Sequence, residues 1–362
     1  MVDNATTIGR DLRLQQARTV GIVGLGLIGG SLALRLVGRG RTVIAWNHTS
    51  RPYASARAAG VQCVDTLDAL AAAAPDVIVL CNPLKAMPSV LDGLAGAIRP
   101  ETTLTDVGSV KGMVRDQVVA AGLNAQYVGA HPMAGNELSG WTAADPSLYD
   151  GALWAVTVDG HTDYARFLTV MELITGGVGD RVIVLDDDVH DRAAALISHM
   201  PHVVATALAN QLTDDPNRNI AAALAAGCWR DMTRVALTDP DRTRAMVEED
   251  AANVEVLLRA MAGRLAAVAD LLRAERRECG EHGGSMASDG AAAALRDFFA
   301  DADPFRAYKA AERAGVASYE RRTVEVSERG WRGELLESAR RGEHVVHVDG
   351  SRTFAVEVRS AV

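Results

Sequence analysis

The stretch Thr19-Val20-Gly21-Ile22-Val23-Gly24-Leu25-Gly26-Leu27-Ile28-Gly29 decides how this chain folds. It begins as a short apolar, β-prone run, turns through a G-x-G-x-x-G pattern and continues as a helix-prone run to Leu36. Strand, glycine turn and helix in that order open a dinucleotide-binding βα unit. Gly24 suits the tight turn, Gly26 suits close backbone approach to a pyrophosphate, and Gly29 suits close packing of helix on strand. The phosphates would lie at the helix N-terminus, so Gly24, Gly26, Leu27, Ile28 and Gly29 are the first candidate cofactor-binding residues. Residues 20–37 are nearly all apolar, but five glycines and Arg35 interrupt a run already at the short limit for crossing a bilayer.

Thr42-Val43-Ile44-Ala45-Trp46-Asn47 reads as the second strand, and Asn47 falls where an NAD-specific site usually carries an acid for the ribose hydroxyl. Asn47 is neutral. In the following His48-Thr49-Ser50-Arg51, Arg51 has the charge to hold a 2′-phosphate or is simply solvated, so the site is compatible with either NAD or NADP. Asp76-Val77-Ile78-Val79-Leu80 ends at Cys81-Asn82-Pro83, on the edge where a doubly wound sheet takes its ligand, which adds Pro83 to the cofactor set. Farther on, Val128 to Trp141 places His131 in a Gly/Pro-punctuated loop, where a hydride-transfer enzyme needs its acid/base group.

With 362 residues, 48% of them hydrophobic, the chain exceeds what one core usually fills, and two main domains are expected. A net charge of −9 argues against a nucleic-acid partner or an anionic membrane surface, so an anionic substrate would need a local cationic pocket. Cys63, Cys81, Cys228 and Cys279 form no C-x-x-C pair, and the first residues lack a basic-then-apolar leader; together these imply free thiols in a reducing cytoplasm. Strand-like runs over 152–158 and 181–185 close a Rossmann-type α/β domain spanning 19–186. From 187 to 315, alanine, leucine and valine recur at helical spacing over 191–212, 219–236 and 245–272, which predicts an all-α domain. Its runs 193–197 and 203–208 are too apolar to face water all round, so a homodimer joined through these helices is expected. Residues 278–290 read as a linker and 291–315 as a helix pair. Residues 316–362 read as a small β-α-β-β extension with a turn at Asp349-Gly350, a structural addition packed on the helices.

Five motifs in order carry a family resemblance: the glycine turn, Asp106-Val107-Gly108-Ser109-Val110-Lys111, Gly129-Ala130-His131-Pro132-Met133-Ala134-Gly135, Ser198-His199-Met200-Pro201-His202, and Arg230-Asp231-Met232-Thr233-Arg234-Val235-Ala236. Over about residues 19–272 the chain resembles the prephenate/arogenate dehydrogenase family of tyrosine biosynthesis; the tail after Gly280 lies outside the pattern. The resemblance implies an oxidative decarboxylation. The ring carbon bearing the 4-hydroxyl gives a hydride to NAD or NADP, and the ring carboxylate leaves as carbon dioxide. Prephenate would yield 4-hydroxyphenylpyruvate, and L-arogenate would yield L-tyrosine.

By the same resemblance His131 accepts the hydroxyl proton, and the Ser109 hydroxyl bonds both the imidazole and the ring hydroxyl. Ser109 reads equally as the N-cap of the next helix. Lys111, in a first helical turn, reads as a solvated charge. Arg234 would grip a substrate carboxylate, with Arg230 and Arg244 as rivals, while Glu137 pairs with this arginine from the neighbouring subunit and His202 frames the pocket. His199 and His202, three apart on a helix, invite a metal reading, but no third ligand stands at matching spacing and no metal is expected. Many relatives carry a tryptophan where this chain reads Asp239-Pro240-Asp241-Arg242-Thr243-Arg244, so the residues fit prephenate or arogenate. A β-hydroxyacid dehydrogenase would need a catalytic lysine on the helical domain, an arrangement this chain lacks. A non-enzymatic, dinucleotide-binding redox sensor would have no use for His131, Ser109 and Arg234 in matching motifs.

Overall fold

The computed structural model describes residues 16–281, 289–314 and 319–359. Strands β1 (Thr19–Val23), β2 (Thr42–Trp46), β3 (Gln62–Cys63), β4 (Val77–Leu80) and β5 (Thr103–Asp106) form a parallel sheet in the order β3-β2-β1-β4-β5. Helices α1 (Leu27–Gly38), α2 (Tyr53–Ala58), α3 (Leu67–Ala72), α4 (Met87–Ala95) and α5 (Lys111–Ala120) connect or follow these strands. Every residue of β4 and β5 is buried, as expected for a sheet covered on both faces. The strand order reverses between β1 and β4, so a crevice opens beyond their carboxyl ends.

A second sheet begins with β6 (Gly129–Pro132), β7 (Leu153–Thr157) and β8 (Arg181–Leu185), with α6 (Tyr164–Glu172) between β7 and β8. It is tied to the first where Val128 N–H donates to Leu104 O at 2.9 Å. His131 therefore lies in a strand, opposite Ala155 of β7, and not in the loop that its Gly/Pro surroundings imply. Pro132 is compatible with this because it ends an edge strand, where no ladder donor is required.

After β8 the chain turns helical. Its helices are α7 (Asp187–Ala194), α8 (Met200–Asp214), α9 (Arg218–Leu224), α10 (Gly227–Thr233), α11 (Pro240–Glu249), α12 (Ala251–Glu281), α13 (Asp289–Ala300) and α14 (Asp303–Arg313). A π-helical turn at Ala195–His199 joins α7 to α8, and Asp186 caps α7 by accepting from Val189 N at 2.8 Å. Of the expected linker 278–290, residues 278–281 continue α12 and 289–290 begin α13, while 282–288 lie outside the described residues. In the single chain Ile197, Leu224, Leu237 and Val256 are 62 to 77% exposed, a large apolar surface for a helical segment. Among the described residues, no helix is long and apolar enough to cross a membrane.

The last segment forms β9 (Arg321–Glu325), α15 (Trp331–Arg340), β10 (Glu343–Gly350) and β11 (Thr353–Val358). Contrary to expectation, among the described residues its main seat is a sheet edge and not the α7–α14 helices. β10 pairs with β8 and completes a six-stranded sheet in the order β6-β7-β8-β10-β11-β9. β8 offers unpaired backbone groups at its free edge, and β10 satisfies them. Trp331, Leu335, Phe354 and Val356 share one core with Val20, Leu32 and Phe167 of the nucleotide-binding fold. Gly350 pairs with Thr353, so the hairpin turn is Ser351-Arg352 and Asp349 remains in the strand.

Candidate active site

The glycine turn has the shape of a pyrophosphate cradle. Gly24 has φ 102°, and a Cβ there would lie 2.8 Å from the Cys81 carbonyl oxygen, so only glycine fits. A Cβ on Gly29 would fall 2.0 Å from Gly24 O. Gly26 differs: its φ of −85° suits any residue, and nothing lies within 4 Å of where its Cβ would be. That open side adjoins the start of α1, whose first-turn N–H groups receive no side-chain cap. Leu27 and Ile28 begin this helix, and Pro83 stands exposed just beyond β4. These features fit a nicotinamide dinucleotide.

Asn47 is a tether in this structure: its Oδ1 accepts from Leu25 N at 2.9 Å and its Nδ2 donates to Thr49 O at 2.9 Å. The carbonyl thus binds β2's end to the glycine turn, and the amide holds the loop that follows β2. Arg51 is exposed just before α2 and has no ion pair among the described residues.

His131 stands on a buried polar framework centred on Asp106. The Asp106 carboxylate accepts from Gly108 N at 2.8 Å, Tyr127 Oη at 2.8 Å and Ala130 N at 3.2 Å, and it ion-pairs with Lys111 Nζ. Lys111 Nζ also donates to Ala130 O at 2.8 Å, which fixes the backbone beside His131. Lys111 is completely buried, against the expectation of a solvated charge, because the loop before α5 turns this first helical position inward onto Asp106. Burial lowers its pKa, and Asp106 opposes that shift.

The imidazole of His131 meets a second histidine. His131 Nδ1 lies 2.9 Å from His190 Nε2, and His190 Nδ1 lies 2.8 Å from Asp191 Oδ1. Asp191 in turn accepts from Lys111 N at 2.6 Å and Gly112 N at 2.9 Å, so it caps α5 from a different helix. The N-cap position belongs to Val110, not to Ser109 as its residue type suggests. Ser109 is half-buried in the bend before α5 and makes no hydrogen bond to His131. Burial, reinforced by His190, Lys111 and His199 nearby, holds the His131 pKa well below the usual histidine range. Its neutral, basic form is therefore the resting one.

A cationic group lies on the helical side. His202 on α8 is half-buried with Nδ1 unpartnered, and its pKa is lowered by burial first, with Arg242, His199 and Arg234 adding to the shift. Arg234 begins a 3₁₀ turn after α10 and is exposed. Arg242 reaches across to the loop after β6, donating to Asn136 O at 2.7 Å and Leu138 O at 3.1 Å. The exposed Glu137 lies between those two carbonyls and does not pair with Arg234 within the chain. His199 is buried and bound through Nδ1 to Asp250 at 2.8 Å, so it does not share a ligand set with His202. Among the described residues no three His, Cys, Asp or Glu side chains are placed to hold a metal ion. Sequence reading missed His190 and Arg242; the adjacent His190-Asp191 pair at the start of the helical run was the available signal.

The profile of the family described as prephenate dehydrogenase, nucleotide-binding domain matches residues 31–184, and that of the prephenate dehydrogenase dimerization domain matches residues 186–281. The chain is 32% identical to the prephenate dehydrogenase of Bacillus subtilis (strain 168) over 235 residues, 62% of this chain and 62% of that protein's length. It is 30% identical to the cyclohexadienyl dehydrogenase of Zymomonas mobilis, covering 64% of this chain and 80% of that protein. Among solved structures, prephenate dehydrogenase from A. aeolicus, in complex with hydroxyphenyl propionate and NAD+, superposes with a TM-score of 0.67 at 27% identity, covering 73% of this chain and 93% of that one.

Proposed function

Since the chain belongs to the prephenate dehydrogenase family, we propose that it oxidatively decarboxylates prephenate to 4-hydroxyphenylpyruvate and carbon dioxide with reduction of NAD+ or NADP+. The observation that carries this reading is His131, neutral at rest and standing on the Asp106-Lys111 framework beside the carboxyl ends of the first sheet. The nicotinamide, when bound, supplies the hydride acceptor. Gly24, Gly26 and Gly29 shape the backbone that receives its pyrophosphate, with Leu27, Ile28, Asn47, Arg51 and Pro83 around the rest of the cofactor. His131 takes the proton of the 4-hydroxyl as the hydride leaves, and returns it to the same oxygen as the ring carboxylate departs as carbon dioxide and the ring becomes a phenol. Ser109, on the bend before α5, contributes a hydroxyl that orients the same ring oxygen.

Arg234, with His202 beside it, anchors a carboxylate by paired hydrogen bonds. Prephenate carries two carboxylates, and the cations grouped around His202 match that charge. One observation favours L-arogenate as a second substrate: Glu137, in the loop held by Arg242, is exposed and available to an ammonium group. The exposed apolar faces of the helical segment, in the part matched by the dimerization profile, pair in a homodimer. His131→Asn tests the assignment: it should keep fold and cofactor affinity while lowering kcat by roughly 10²-fold or more. Near-normal turnover would remove His131 from the chemistry.

A further inference from the structure

We propose that His190 and Asp191 are positioning residues that fix the tautomer of His131, so that its Nε2 carries a bare lone pair. The proposal rests on the reading of His131 as the base. It follows from donor and acceptor counting along one chain of hydrogen bonds. Asp191 accepts from the backbone N–H groups of Lys111 at 2.6 Å and Gly112 at 2.9 Å, at a helix N-terminus that favours an anion. It is thus a carboxylate, with nothing to donate. The 2.8 Å contact to His190 Nδ1 must then be N–H of His190 donating to Asp191 Oδ1.

An imidazole with its one proton on Nδ1 presents a lone pair at Nε2, and His190 is placed to do so. That atom lies 2.9 Å from His131 Nδ1, so His131 donates there and its own proton is committed to Nδ1. His131 Nε2, the far side of the ring, is left as an acceptor. In the opposite arrangement His190 would donate to His131 Nδ1, the His131 proton would sit on Nε2, and no base would face a substrate. His190 and Asp191 are both buried, and the two imidazoles meet edge to face with centroids 5.1 Å apart, so water does not scramble the order. The arrangement has the logic of an acid-imidazole pair that selects a tautomer, here with one extra imidazole inserted. Because α7 supplies Asp191 and α5 receives it, seating of the helical segment on the nucleotide-binding fold is what sets the base.

The test uses the full chain saturated with NAD+. The ¹⁵N shifts of His131 should show a protonated Nδ1 and a bare Nε2 in the wild type. Asp191→Asn reverses the donor at the end of the chain; it should move the His131 proton to Nε2 and lower kcat by roughly 10²- to 10⁴-fold with KM changed less than about threefold. If Asp191→Asn does not fold, His190 decides: His190→Leu should lower kcat by roughly tenfold or more, and His190→Gln, which restores an acceptor, should recover most of it. An Nε2-protonated His131 in the wild type would overturn the proposal. So would wild-type kcat in the variants alongside an inactive His131→Asn. If His131→Asn itself were active, the assignment of the base would fail instead.

Discussion

Trp331→Ala probes the claim that the C-terminal β-α-β-β segment is built into the nucleotide-binding fold. Trp331 is 3% exposed and packs its ring 4.7 Å from Tyr164 and 4.8 Å from Phe167, both on α6 of the earlier segment. Truncating a buried tryptophan costs about 3–5 kcal/mol through lost transfer energy and the cavity left behind. Two aromatic contacts of this geometry put the loss toward the upper end, since each contributes about 0.5–1.5 kcal/mol beyond burial. For a cooperative unit of this size the thermal midpoint should fall by about 10 °C. Calorimetry would give the midpoint, and hydrogen exchange would show where protection is lost. The shared sheet predicts that β8 and α6 amides lose protection together with β10 and β11. A cost below about 1 kcal/mol, or lost protection confined to residues 319–359, would refute the reasoning.

Three further outcomes follow from single contacts. Gly26→Val should fold with an unchanged melting point, because its backbone is ordinary and its Cβ position is open, yet weaken NAD+ binding at least about tenfold in titration calorimetry; unchanged affinity would move the pyrophosphate elsewhere. Lys111→Met removes one partner of a buried ion pair and should cost about 3 kcal/mol in urea unfolding, and a loss under about 1 kcal/mol would contradict the framework around Asp106. Burial raises the Asp180 carboxyl to about 6 despite the hydrogen bond from Trp154 Nε1 at 2.9 Å. The folded chain thus holds this proton more tightly than the unfolded one, so stability falls as pH rises from about 4 to about 6, and Asp180→Asn should flatten that slope.

The glycine turn was legible because its information is local: three glycines, a flanking strand and a helix specify a backbone path. His131 was legible as a residue but not in its setting, since an apolar alternation shorter than a strand's usual length reads as loop when Gly and Pro bound it. Its partner His190 is 59 positions away, a contact that only the docking of α7 on α5 creates. Lys111 misled because helix position gives a face and not a depth; the buried acid beneath it lies in the preceding strand. The final segment was recognisable as β-α-β-β, yet its seat depended on the free edge of β8, which no local pattern announces. The run 193–197 was legible as too apolar to face water all round, and in the single chain its Leu196 and Ile197 are indeed exposed.

The most direct measurement is absorbance of the reduced nicotinamide after mixing the purified chain with prephenate and either NAD+ or NADP+, with arogenate in parallel. The account predicts reduction in a one-to-one ratio with 4-hydroxyphenylpyruvate formed from prephenate, slowed roughly 10²-fold or more by His131→Asn. Folded, cofactor-binding protein that reduces neither coenzyme with either cyclohexadienyl acid would contradict it.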